Sequence, residues 1–573
     1  MLSMLFLYFT SLILSHTPPI LIKLIYLLLD VSFFWVTRIW RILRYSPTRQ
    51  LKHSLQKAEN YQQYESITSK IDCLNGNDIW RQNFASKKYD YLLINQRLSQ
   101  LRRARLHDGD YYKIMSILRS GLLRNFGGIS NKQLYNKSYI GTKIVIEDYV
   151  DEVLQSLKSL DSLELNSNNL VYEDGISGSV EGGSSLGQVV IKMKPPELTL
   201  TNFNQMKLDF FHDSRQTLGT TALVLQGGSL FGLVHLGVIK ALYAKNLLPR
   251  VIAGSAVGAL VGAFVCCLDD FELNENLQDL ISAFPPCILK DTNNVLNVIE
   301  TVVKKGYSQD MQLFMEFVKL RLGEMTFEDA YLKTNRILNI LVCPTDNSVP
   351  SLLNYISTPN VTIMSAIYCS LGNEVFNEEA QLIVKTQDKQ LVKWEVVSNR
   401  QCEFVSPHHV HNINYPKSFT PISPYTRLTE LFNVNHFIVS LARPYLAPLI
   451  GNDLKHSPTS WLLTKNMKNL LTMEIRHRLD LLDKFGLLFS FLKSMAIDEK
   501  TPRFENSEIT IVPELRTLMK DFSRIFDVNK YKENIPYWIQ VGERSVWPLY
   551  PMLQTRCAIE FALDDYYNLH RNR

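Results

Sequence analysis

The stretch TTALVLQGGSLFGLVHLGVIKALYAKNLLPRVIAGSAVGALVGAFV, Thr220 to Val265, alternates two textures. ALVLQ (222–226) and RVIAG (250–254) are apolar runs of strand length, whereas FGLVHLGVIKALYAKN (231–246) and SAVGALVGAFVCC (255–267) are long enough for helices. In the first helical run Leu233, Leu236, Ile239 and Leu242 recur at the spacing of one helix face. Strands separated by helices predict parallel βαβ units. RILNILVCPT (336–345) and FIVSLARPYL (437–446) read as further buried strands of the same sheet. An α/β sandwich over residues 218–450 is the expected core.

Two turns in this stretch carry the candidate chemistry. The first, QGGSLFG (226–232), lies between a strand and a helix. Backbone N–H groups in such a turn point inward at the helix start, so Gly227, Gly228, Ser229 and Gly232 are candidate holders of a phosphate or of the oxyanion of acyl transfer. No Gly-Lys-Ser/Thr follows, which excludes a P-loop, and the middle of the turn is too bulky for a dinucleotide fingerprint. The second turn, AGSAVG (253–258), ends the next strand. It has the form of a nucleophile elbow, in which the residues two places either side of the centre must be small so that the helix can pass the strand. Gly254 and Gly258 meet that need for residue 256, and centring the turn on Ser255 would place Ala253 and Val257 there instead. The spacing therefore selects Ala256, which has no nucleophile, with Ser255 as the remaining alternative.

Outside this core the 573-residue chain changes character several times. Residues 1–45 are apolar in two runs broken at Pro18-Pro19, with Lys23 and Asp30 the charges of the second run and Arg38, Arg41 and Arg44 following beside Trp35 and Trp40. That pattern predicts a hydrophobic hairpin entering and leaving a membrane or lipid monolayer from one side. Residues 46–165 read as a helical N-terminal domain, 166–217 as a Ser/Gly/Asn-rich linker, and 451–573 as a helical C-terminal region with a long amphipathic run at 467–495. Lys+Arg of 61 against Asp+Glu of 56 leaves a charge of +5, too small a bias over this length to point to nucleic acid. Eight cysteines without Cys-x-x-Cys spacing are expected as buried free thiols. His408, His409 and His411 have only Cys402 and Glu403 as candidate metal partners at ligand spacing and read as a polar loop, while His235 and His436 read as structural imidazoles. No metal and no cofactor is expected.

The Gly-Gly-x-x-x-Gly turn followed by the elbow resembles the patatin-like phospholipase domain. DIWRQNF (78–84), GYSQDMQLFMEFVK (306–319), TELFNVNHFIVSLARPYLAPLI (429–450) and IPYWIQVGERSVWP (535–548) extend the resemblance to the lipid-droplet triacylglycerol lipases of budding yeasts. The resemblance implies a three-layer α/β/α fold, a Ser–Asp dyad without histidine, and hydrolysis of triacylglycerol and diacylglycerol at the lipid-droplet or endoplasmic reticulum membrane, with lysophospholipid acyl transfer as a second activity. It names no protein partner.

The chain departs from that pattern twice. Alanine stands at position 256, and the family's Asp-Gly motif before LFNVNH (431–436) is replaced by NINYPKSFTPISPYTRLTEL (412–431). Asp-Gly occurs at Asp108-Gly109 and Asp174-Gly175, both upstream of the core and both in the setting of ordinary turns. Glu374, Glu378, Glu379 and Asp388 are the other carboxylates within sequence reach. Two readings stand side by side: an ester hydrolase in which alanine replaces a serine, and a catalytically inactive lipid-binding or regulatory protein.

Overall fold

In the computed structural model of the chain the described residues are 47–108, 111–162, 200–227, 230–280, 309–344, 349–372, 381–394, 424–443, 508–513 and 531–571, with isolated positions at 30, between 470 and 485, and at 524. The expected hairpin, the linker from 166 to 199, Gly228, Ser229, Glu374, Glu378, Glu379 and the histidine trio lie outside them, as does most of the 467–495 run. Among the described residues no helix is long and apolar enough to cross a membrane.

The chain forms two units, Met1–Asn75 and Gly76–Arg573. In the first, helices α1 (Pro47–Gln56) and α2 (Tyr61–Asn75) pack on each other. Among the elements of the second are, in chain order, helices α3 (Ile144–Ser162) and α4 (Leu200–Leu218), strand β1 (Thr220–Gln226), helix α5 (Val234–Ala244), strand β2 (Val251–Ser255) and helix α6 (Val257–Cys267). After these come α7 (Gln309–Leu322), β3 (Ile337–Leu341), β4 (Leu352–Leu353), α8 (Ile363–Leu371), the short hairpin β5 (Ile383–Lys385) and β6 (Leu391–Lys393), α9 (Pro424–Phe432), β7 (Val434–Leu441), β8 (Glu508–Ile511), α10 (Tyr531–Val546) and α11 (Tyr550–Arg571).

Six strands make one sheet in the order β4-β3-β2-β1-β7-β8, with β4 antiparallel to β3 and every other neighbour parallel. Because side chains alternate across a strand, β1 splits its apolar residues between two layers. Ala222 and Val224 join Val251, Phe437 and Val439 on the face covered by α9. Leu225, with Ile252 and Leu338, lies against Gly262 of α6 on the other. The result is the expected three-layer α/β/α core, and β1 is buried on both faces, as its unbroken apolar run requires.

Two boundaries differ from the sequence reading. Residues 200–218, read as the end of the linker, form α4, in which Phe203, Phe210 and Phe211 are buried and Phe211 stacks on His570 of α11. Its apolar residues sit at helical spacing and belong to the core, while the Ser/Gly-rich composition ends earlier. The C-terminal region, read as helical, also supplies β8, whose four residues (EITI) pair with β7 at the sheet edge. A four-residue strand is too short for its alternation to stand out from flanking polar sequence.

Within the second unit, Arg124, which precedes the core in sequence, is tied to the start of the sheet. Arg124 donates from Nη1 to Thr221 Oγ1 at 3.1 Å, the Arg556 carbonyl at 2.8 Å and Glu560 Oε2 at 3.0 Å, and from Nη2 to the Gly219 carbonyl and Asn435 Oδ1, each at 3.2 Å. The Thr221 hydroxyl also donates to Glu560 and lies 3.3 Å from His436 Nδ1. His436 is therefore structural, and burial, with Arg124 and Arg556 nearby, holds it well below the usual imidazole pKa. Cys557 beside it is pushed up to about 12 by burial, so it stays an inert thiol.

Candidate active site

The second turn is built as the spacing predicts. β2 runs from Val251 to Ser255 in register with β3, pairing Ser255 with Leu341. Ala256 then adopts φ 50°, ψ −116°, a conformation an L-residue holds only under strain of about 1–3 kcal/mol, and α6 begins at Val257. Both neighbouring glycines are sterically required. A Cβ on Gly254 would sit 2.6 Å from the Ala259 Cα, and one on Gly258 would sit 2.9 Å from the Leu225 Cβ and closer still to the Leu225 carbonyl. Ser255 occupies the last position of the strand and is buried, so the apex belongs to Ala256.

The apex has a brace that sequence reading did not find. Ser370, fully buried in the last turn of α8, accepts the Ala256 N–H at 2.9 Å and donates to the Leu341 carbonyl at 2.5 Å. One hydroxyl thus ties the strained residue to the end of β3. The two partners are 114 residues apart, and no local pattern marks Ser370 for this role.

The first turn begins at Gly227, at φ +65°, directly after β1. β1 is hydrogen-bonded to β2 in parallel register, so both turns emerge at the carboxyl edge of adjacent strands, the usual functional edge of such sheets. Of the candidate oxyanion donors, Gly227 and Gly232 are described and buried. His235, in the first turn of α5, is wholly buried, with Nδ1 2.9 Å from Ser440 Oγ of β7. Burial pushes it down to about 4, opposed in part by the backbone of Gly227 and Gln226, so it is a neutral ring at physiological pH. Gln226 donates to the Tyr425 hydroxyl. Asp388 is exposed on the β5–β6 hairpin.

A carboxyl group that sequence reading passed over sits behind the first turn. Asp310, at the start of α7, is hydrogen-bonded to the Trp538 ring of α10, and Trp538 packs edge-on against Phe231 of the turn with ring centroids 5.3 Å apart. Burial raises Asp310 to about 7. Its unfolded-state value lies near 3.8, so the folded state binds the extra proton and the associated stability is lost as pH rises toward 7. Denaturant titrations are expected to show the chain roughly 3 kcal/mol less stable at pH 8 than at pH 5 from this group, with the slope removed by Asp310→Asn. An unchanged slope in that variant would assign the pH dependence elsewhere.

A parallel sheet with a strained small-residue elbow beside a glycine turn defines a patatin-like α/β architecture. A family model described as patatin-like phospholipase matches residues 223–373, and one described as a domain of unknown function (DUF3336) matches residues 40–172. Triacylglycerol lipase 3 of Saccharomyces cerevisiae is 34% identical over 98% of this chain and 96% of its own length. Triacylglycerol lipase ptl1 of Schizosaccharomyces pombe is 34% identical over 94% of this chain and 89% of its own. The Arabidopsis thaliana triacylglycerol lipase SDP1L is 28% identical over 83% of this chain and 54% of its own. The chain belongs to the patatin-like triacylglycerol lipase family.

Proposed function

We propose that this chain binds neutral glycerolipid at the surface of lipid droplets or of the endoplasmic reticulum, and that it does not hydrolyse it through the family's elbow. The observation that carries this reading is Ala256, which holds the strained backbone of a nucleophile position and presents a methyl group there. Acyl transfer through an acyl-enzyme would need the same missing hydroxyl, so the proposal covers both activities implied by the family. Ser255 does not restore it, since it ends the strand one residue before the apex.

The test is co-flotation of the purified full chain with a triolein emulsion, read beside release of oleate. Binding with release no greater than the buffer blank is expected; turnover abolished by Ser255→Ala would overturn the reading. For localisation, residues 1–45 are proposed as the anchor, on the strength of their paired apolar runs and basic-aromatic border. Deleting residues 1–44 should release a fluorescent fusion into the cytosol, and persistent droplet labelling would move the anchor elsewhere.

A further inference from the structure

At the start of the second unit, exposed apolar side chains stand among lysines. Ile79 is 74% exposed and Phe84 52%, Trp80 is half-buried, and the Phe84 ring packs on Tyr91 with centroids 5.6 Å apart. The main chain beneath them is fixed. Lys143, just before α3, donates from Nζ to the Trp80 carbonyl at 2.6 Å and the Asn83 carbonyl at 2.5 Å. The Tyr89 hydroxyl donates to the Phe84 carbonyl at 2.5 Å, and Asn77 Nδ2 donates to the Lys137 carbonyl at 3.0 Å. A backbone pinned in this way holds large apolar groups in water, where an apolar patch ringed by polar residues marks an interaction surface.

The charge around the patch is positive. The ammonium of Lys143 lies 4.1 Å from the centre of the Trp80 ring and that of Lys137 5.3 Å from it. Burial, then the charges of Lys137 and Lys88, hold Lys143 below the usual lysine pKa, so the groups that act on it electrostatically are cations. Lys87, Lys88 and Lys137 are exposed, and none of them pairs with a carboxylate among the described residues; Lys88 donates to the Gln133 carbonyl at 3.4 Å. Of the carboxylates on the same segments, Glu147 is paired with Arg81 and Asp90 accepts the Leu93 N–H, which leaves Asp78 against three lysines. The buried centre of a protein–protein interface is depleted in lysine. An anionic lipid surface takes both features at once, aromatic and aliphatic groups at the acyl boundary and ammonium groups at the phosphates.

We infer that this face docks on an anionic phospholipid surface, with Ile79 and Phe84 entering the acyl boundary and Lys87, Lys88 and Lys137 meeting the headgroups. The contact is separate from the elbow and from residues 1–45. It shares with the preceding reading only the premise that the chain works at a lipid surface.

The test is flotation of the purified full chain with vesicles of phosphatidylcholine alone and of phosphatidylcholine containing about a third phosphatidylserine. Binding to the anionic vesicles is expected to be at least ~10-fold tighter, with the difference erased in Lys87→Gln/Lys88→Gln/Lys137→Gln. The control Lys158→Gln/Lys319→Gln/Lys389→Gln removes the same charge from exposed positions elsewhere and should keep the preference. Equal binding of the unaltered chain to both vesicles, or an equal loss in the two triple variants, would overturn the inference. Hydrogen exchange on the unaltered chain reads the face directly, whatever residues 1–45 contribute and however the variants fold. Amides of residues 77–92 are expected to exchange more slowly on anionic vesicles than on phosphatidylcholine, and unchanged exchange would overturn the inference. Triolein is absent from these mixtures. Failed co-flotation with triolein would therefore remove the neutral-lipid reading alone, and a missing anionic preference would remove this one alone.

Discussion

Ala256→Ser is expected to leave the fold and its stability within about 1 kcal/mol of the unaltered chain and to raise oleate release from triolein at least ~10²-fold above the blank. Serine and alanine bear the same strain at φ 50°, and the two glycines and the Ser370 brace that hold the turn are already present. The hydroxyl would therefore arrive at the position the elbow reserves for it. The size of the gain then reads the second departure from the family pattern. A gain of ~10³ or more would mean that a carboxylate reaches the site despite the missing Asp-Gly motif. No gain at all, in a folded and lipid-bound variant, would mean that the acid partner has gone as well.

The second large effect is on stability. Gly258→Ala is expected to cost more than about 4 kcal/mol in urea unfolding, because its Cβ would be driven into the Leu225 carbonyl of β1 and the whole of α6 would have to lift from the sheet. Gly262→Ala, one turn further along α6, is the internal control. Its Cβ would meet Ile252, Leu338 and Leu225 side chains at 3.4–3.8 Å, ordinary contact, and the change should stay within about 1 kcal/mol. If the two variants were equally stable, α6 would not be packed against β1 as tightly as the elbow demands.

The central βαβ unit was legible because its signals are local. A five-residue strand run (ALVLQ), a glycine turn, a helix with one apolar face and an elbow with small residues at fixed offsets lie within 46 consecutive residues. The choice of Ala256 over Ser255 could be made on steric grounds alone. Relations made by the tertiary fold were not legible in the same way. Ser370 braces residue 256 from 114 positions away, Arg443 comes beside Gly227 only because β7 pairs with β1, and Asp310 acquires its raised pKa from burial. Composition likewise misplaced the start of α4, since Ser/Gly-rich sequence before it masks a helix whose phenylalanines are spaced for burial.

The Arg124 cluster has a consequence for how the chain is made. Arg124 bonds to the Arg556 carbonyl and to Glu560 across sequence separations of 432 and 436 residues, and β8 adds to the sheet only at residues 508–511. On a ribosome emitting about 5–20 residues per second, the first strand of the sheet waits on the order of tens of seconds for the groups that close over its start. The family's elbow is thus assembled from a chain whose hydrophobic N-terminal segment has long since left the exit tunnel. The anchor proposed at residues 1–45 is therefore synthesised well before the groups that complete the sheet around the elbow.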